Sequence, residues 1–287
     1  MRAKEKLTPR REQPFQTDEK TMYQRKEAEK GILEVHTKCT LSAGEVSYLC
    51  HMEQRMLRLV GEPDTLSRWM EGLFPPAQVG FTRALYGVGA LPDGRTVFPY
   101  TDRAGRVIDG KVMAYGTDGH RIKASPQPSP EGKGAPTKGN HSSPPLGGVG
   151  GGCTWLHALD RLERPLPLPL FGEDLLGTLP FAPICLVESE KTALVAKLWR
   201  PDCTWLATGG KSMFTADRCR VLAGRTVFVW PDADAINEWM ETAATLGQKF
   251  DIRFQFPTAY LTRIREGPPK GDLADIIVSQ VFNYREL

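Results

Sequence analysis

Two short apolar runs, each ending abruptly in acids, constrain this chain more than any other feature. Ile184-Cys185-Leu186-Val187 runs into Glu188-Ser189-Glu190-Lys191-Thr192-Ala193, and Val227-Phe228-Val229-Trp230 runs into Pro231-Asp232-Ala233-Asp234-Ala235. Each run is rich in β-branched and bulky side chains and passes directly into a helix-like pattern. Buried parallel strands read this way, because a strand covered on both faces loses its polar alternation. In an open α/β sheet ligands sit beyond the carboxyl ends of the strands, so neighbouring strands would set Glu188, Asp232 and Asp234 around one crevice.

The rest of the C-terminal part repeats the pattern. The spacing predicts strand 184–188, helix 189–199, strand 203–207 with a Gly-Gly loop, helix 215–222, strand 226–230, helix 235–246 ending at Gly247, strand 251–256, and a last helix after Gly271. Such βα repetition with short loops implies an α/β fold over 180–287, a mainly parallel sheet with helices on both faces. A smaller α+β region is expected over 31–124 and 153–179. In it, Asp64 is the candidate N-cap of a helix that places Leu66, Trp69, Met70 and Leu73 on one face and stops at Pro75-Pro76. Runs at 96–100, 106–108 and 111–115, broken by Asp102-Arg103-Ala104-Gly105 and Thr117-Asp118-Gly119-His120, predict a β-meander. Its cations Arg103, Arg106, Lys111, Arg121 and Lys123 read as an ordinary polar face, with a nucleic-acid face as the alternative.

Two stretches cannot contribute a core. Residues 1–30 are charged, mixed in sign and without apolar periodicity, which predicts a solvated tail. Residues 125–152 are dense in Pro, Gly and Ser and read as a flexible insertion within a domain. The net charge of +3 comes from residues 1–30, with nine Lys/Arg against six Asp/Glu, so the remainder is neutral. Contact with nucleic acid would then need a local basic patch or a bound metal. No apolar run approaches a membrane span, which leads us to expect a cytoplasmic protein with no membrane partner. The six cysteines (39, 50, 153, 185, 203, 219) form no CxxC and read as reduced thiols. His36, Cys39, Cys50 and His51 lack the usual zinc spacing and read as a short strand and the start of a helix. His157, alone in an apolar context, reads as a core or surface histidine.

Glu188, Asp232 and Asp234 are hard oxygen donors, and carboxylates at i and i+2 can converge on one cation. Mg²⁺, with Mn²⁺ as an alternative, suits one or two carboxylates plus phosphate oxygens. The start of the helix at Ser189, the permissive Gly209-Gly210 backbone and the cations Lys191 and Lys211 are candidate phosphate contacts. Glu188 is a candidate for moving a proton. Gly210-Lys211-Ser212 resembles the end of a P-loop, but Trp205 stands where its first glycine belongs, so the motif is incomplete.

With these residues in place the chain resembles a Toprim domain, the catalytic domain shared by primases, topoisomerases and related nucleases. Glu188, Gly209-Gly210 and Asp232-Ala233-Asp234 stand in the positions of its signature, and Lys270, Asp272 and Asp275 resemble a later segment of primase-type members. The likeness covers roughly 180–287. From about residue 80 the chain is also similar to uncharacterised Toprim-like proteins of bacterial mobile elements, through Gly110–Tyr115, Leu170–Glu173 and Val187–Thr192. The usual glycines are replaced by Ser189 and Asn237. The resemblance implies a Mg²⁺-dependent, primase-like transferase acting on DNA, most often single-stranded, in replication or transfer of a mobile element, with replication or mobilisation proteins as partners. A catalytically silent DNA-binding or partner-docking module and a Toprim nuclease are the alternatives it leaves open.

Overall fold

A computed structural model describes residues 41–122 and 152–285. The charged tail at 1–30, His36, Cys39, Lys123 and nearly all of the Pro/Gly/Ser-rich stretch lie outside the described residues.

The chain is a mixed α/β protein with two four-stranded sheets among the described residues. The first is antiparallel, in the order β1 (Gly89–Ala90), β2 (Thr96–Thr101), β3 (Val107–Met113) and β4 (Thr154–Trp155). The second is parallel, in the order β6 (Thr204–Ala207), β5 (Ile184–Val187), β7 (Thr226–Val229) and β8 (Arg253–Gln255). From β5 the chain moves outward to β6, then crosses back to β7 on the other side.

The apolar character of β5 has a direct structural cause. Cys185 and Val187 pack into a core that includes Ala193, Leu194 and Ile277, while Ile184 and Leu186 pack into a second core around Trp239 and Leu246. Helices α6 (Glu190–Trp199) and α10 (Leu273–Arg285) thus cover one face and α8 (Ile236–Phe250) the other. The first core continues through Phe98 and Tyr100 of β2 and Phe171, where aromatic rings meet edge to face and tilted at 5.7 and 6.0 Å. The opposite face of the antiparallel sheet, with Val97 and Val112, is covered by Tyr48, Met52 and Met56 of α1 (Ala43–Leu57).

Both faces of the antiparallel sheet are therefore buried, which corrects the expectation of an exposed polar face. The runs at 106–108 and 111–115 also merge into the single strand β3. Asp109, fully buried, stays inside that strand because it accepts from His157 (2.5 Å to Nδ1) and from Arg164 (3.3 Å). Gly110 leaves no room for a side chain, since a Cβ there would lie 2.6 Å from Leu156.

Three helices differ from expectation. The helix capped by Asp64 is α2 (Thr65–Glu71), and Pro76 does not stop it but opens α3 (Pro76–Leu85), the position where a missing N–H and a fixed φ do no harm. The helix after β7 runs through Gly247 to Phe250, because Gly247 admits the Ile252 carbonyl 2.9 Å from where a Cβ would stand. The reversal falls instead on Asp251, at φ 53°. Helix α9 (Thr258–Glu266), not anticipated, buries Tyr260, Leu261 and Ile264. Between them, α4 (Leu156–Leu159), α5 (Leu175–Thr178) and α7 (Ala216–Cys219) are single turns. Among the described residues no helix is long and apolar enough to cross a membrane.

Asp64 ties these parts together. It is fully buried, accepts from Ser67 N (3.0 Å), the Ser67 hydroxyl and the Thr96 hydroxyl (2.7 Å), and pairs with Arg83 (3.2 Å). Asp64→Ala leaves the Arg83 charge without its partner, and breaking a buried pair this way costs about 3–5 kcal/mol. Urea unfolding should show that loss as a lower midpoint with an unchanged slope.

Candidate metal and phosphate site

The ends of β5, β6 and β7 converge at one edge of the parallel sheet. Thr208 N donates to Val187 O (3.1 Å), Gly209 N to Glu188 O (2.8 Å), and Trp230 N to Leu186 O (2.9 Å), which fixes Glu188, the Gly-Gly loop and Pro231-Asp232 side by side. Glu188 is followed by Ser189, the N-cap of α6, whose hydroxyl accepts from Thr192 N (3.1 Å). The Thr192 hydroxyl in turn donates to Asp272 Oδ2 at 2.8 Å. Asp272 and Asp275 cap the start of α10 reciprocally, each carboxylate accepting the other's backbone N–H. The Asp232 turn is held by Tyr260, which donates to Pro231 O (2.7 Å), and by Ala233 N, which donates to Gly271 O (3.0 Å).

The electrostatics of this edge are unbalanced. Burial, and then repulsion from Glu188, Asp272, Asp234 and Asp275, pushes the Asp232 carboxyl up to about 9. Glu188 is also raised, by burial first and by Asp234 second, with partial relief from the Lys211 backbone N–H and charge. Glu188 Oε2 and Asp232 Oδ1 are buried without a hydrogen-bond partner. Buried polar oxygens are normally satisfied, so two orphans amid like charge mark a place for a cation. Among the described residues no three His, Cys, Asp or Glu side chains are already gathered into a ligand set. The donor chemistry fits a hard cation, while the carboxylates stand as neighbours rather than as a closed cage.

A cleft of about 330 Å³ opens beside the acids and receives Glu188, Gly209, Gly210, Lys191 and the secondary segment Lys270, Asp272 and Asp275. Asp232, Asp234 and Lys211 do not line it. Lys211 is turned aside, donating to Asp234 O (2.6 Å) and pairing with Glu238 (3.4 Å). Lys191 lies over the Trp69 ring, its Nζ 5.7 Å from the centroid. Of the residues considered for zinc, Cys50 is exposed and His51 pairs with Asp160 at 2.8 Å.

The residues that hold the Gly-Gly loop were not evident from the sequence. Lys111, on β3, donates to Gly209 O (2.7 Å) and to Glu190 Oε1 (2.9 Å), and the Tyr100 hydroxyl donates to the same Glu190 oxygen. Arg218 donates to Thr208 O at 2.5 Å and lies 5.5 Å from the Tyr100 ring centroid. Gly209, at φ 83°, must be glycine, since a Cβ would stand 2.2 Å from the Tyr100 oxygen. Lys111 is therefore a structural cation inside the molecule and not part of an exposed basic face. His120 and Arg121 add further basic groups to the cleft.

A family model described as a domain of unknown function (DUF6371) matches residues 64–233, more than half of the chain. The chain belongs to that DUF6371 family. The DUF6371 match begins at Asp64 and ends at Ala233, so it takes in Glu188, the Gly-Gly loop and Asp232 but not Asp234 or α10. No curated protein matches in sequence. Among solved structures, the DnaG primase catalytic domain bound to ssDNA is 14% identical over 85% of this chain and 80% of that one, with a TM-score of 0.48. The primase fragment of the bacteriophage T7 primase-helicase is 16% identical over 71% and 67%, with a TM-score of 0.40. The Aquifex aeolicus primase fragment with zinc-binding and RNA polymerase domains is 14% identical over 73% and 45%, with a TM-score of 0.38.

The charge imbalance has a measurable consequence. A carboxyl raised from 3.8 to about 9 keeps its proton in the folded state where the unfolded chain has lost it. Its contribution is fully present below about pH 4 and is lost as pH rises toward 9, at no more than about 1.4 kcal/mol per pH unit. With chelator present, stability should fall over that window, and Asp232→Asn should flatten the fall in a series of thermal melts.

Proposed function

We propose that this protein is a Mg²⁺-dependent nucleic-acid-processing enzyme of Toprim type, primase-like in its chemistry, serving replication or transfer of a mobile element. The observation that carries this reading is the pair of unpartnered buried oxygens, Glu188 Oε2 and Asp232 Oδ1, set among further acids at the edge of a cleft rich in cations. Glu188, Asp232 and Asp234 would hold Mg²⁺, or Mn²⁺ in its place. When bound, such an ion draws phosphate oxygens together and offsets their charge. Lys191 and Lys270, which line the cleft, bind the phosphates of a nucleotide or of single-stranded DNA, and the backbone at Gly209 and Gly210, bare of side chains, lets those phosphates approach closely. Glu188, which lines the cleft, moves a proton at its carboxylate.

A silent DNA-binding module is the second reading, favoured by carboxylates that are not gathered into a ligand set. One assay separates the two, with cleavage as a third outcome: incubation with single-stranded DNA, NTPs and Mg²⁺ or Mn²⁺, scored for new primers or shortened DNA. Glu188→Gln should lose about 10² to 10⁴-fold in rate whatever the metal concentration. Asp234→Asn should recover part of its loss when Mg²⁺ is raised or Mn²⁺ supplied. Unaltered turnover in Glu188→Gln would end the catalytic assignment. Binding of DNA that is unchanged or tighter in both variants, with no turnover in any form, would favour the silent module.

A further inference from the structure

A second cleft, of about 440 Å³, adjoins the first, and His120, Lys191 and Asp275 line both. Its remaining walls differ in kind. Trp69 of α2 forms one side, and Ala274, Val278 and Phe282, spaced four apart on one stripe of α10, form the other. The Trp69 ring packs against the turn at Gly119, whose φ is 74° and where a Cβ would lie 2.2 Å from the indole, and Thr117 and Asp118 of that turn line the cleft as well. Phe282 is 52% exposed although it lines the cleft. Volume, apolar walls and a polar rim place the cleft in the range of small-molecule sites, roughly 300–1,000 Å³.

We propose that this second cleft is a nucleobase subsite in which a base stacks on Trp69, with Phe282 closing over it, while the attached phosphates lie in the first cleft. The inference rests on the phosphate-binding reading above and adds what it lacks, a place for the base. The residue that joins the two clefts is Lys191. Its ammonium now lies over the indole at 5.7 Å, a loose cation–π contact on a flexible four-carbon stem. A base entering the slot takes over the ring face, and Lys191 turns to the phosphates in the cleft it already borders. An aromatic platform reads every base by its π-face, so the subsite selects bases as a class rather than one sequence.

The test compares ATP, GTP, an oligothymidylate and inorganic tripolyphosphate, each titrated against the full chain by calorimetry in Mg²⁺. Trp69→Leu and Phe282→Ala should each weaken ligands that carry a base and leave tripolyphosphate unchanged. The expected loss for Trp69→Leu is about 5- to 150-fold, the affinity equivalent of one stacked base, and Trp69→Phe should restore most of it. Loss confined to ATP and GTP assigns the slot to a free nucleotide, and loss confined to the oligonucleotide assigns it to a strand, and either supports the subsite. Phe282 is exposed, so its variant reports even where Trp69→Leu does not fold. Nucleotide and oligonucleotide binding indifferent to Phe282→Ala, or tripolyphosphate weakened equally, overturns the base subsite alone. Failure of the wild-type chain to bind tripolyphosphate sinks the phosphate site and this inference together.

Discussion

A carboxylate with 1% of its surface exposed survives inside a protein only if its charge is answered at close range, and Glu190 is answered twice. Lys111 reaches it from the antiparallel sheet with an ammonium that is itself buried, and the Tyr100 hydroxyl supplies a second donor to the same oxygen. The same lysine then bonds the carbonyl of Gly209. One buried pair thus joins the two sheets and sets the height of the loop that follows β6. Buried pairs of this kind are weak evidence for stability, because desolvation takes back much of the attraction. Here the geometry points to placement: three elements far apart in sequence meet at one nitrogen.

Two residues earlier the situation reverses. Glu188 and Asp232 are each part-buried, yet one oxygen of each finds no donor and acids crowd them, with Lys211 relieving Glu188 only in part. Satisfied and unsatisfied carboxylates within one short stretch define two jobs for the same chemical group. The paired one holds structure in place; the others keep raised pKa values, relieved only in part by Lys211 at Glu188.

Much of this was legible in the sequence where the code is local. The runs ending at Val187 and Val229 became parallel neighbours because strands buried on both faces need continuous apolar side chains. Asp64 before Thr65 announced a cap that the structure contains. What escaped was non-local or depended on a neighbour. Pro75-Pro76 reads equally as a stop and as a start, and only the packing of Val79 decides it. Gly247 resembles a helix end until Ile252 folds back onto it. Lys111 looked like a surface cation because nothing near it in the chain reveals Glu190, 79 residues away. For the same reason Lys211, placed beside two glycines, invited a phosphate role while its nearest partner is the carbonyl of Asp234.

The order of the parallel strands carries a consequence of its own. Because β5 leads through α6 to β6 on one side while β7 leads through α8 to β8 on the other, these two helices cover opposite faces and diverge, which leaves a crevice between the ends of β5 and β7. The opening above Glu188 is therefore a product of connectivity, present whatever side chains happen to border it. Chemistry at such a mouth is a tenant of the topology: a lineage could exchange every acid there for another group, and so lose one activity or acquire a different one, without disturbing the architecture that keeps the place accessible.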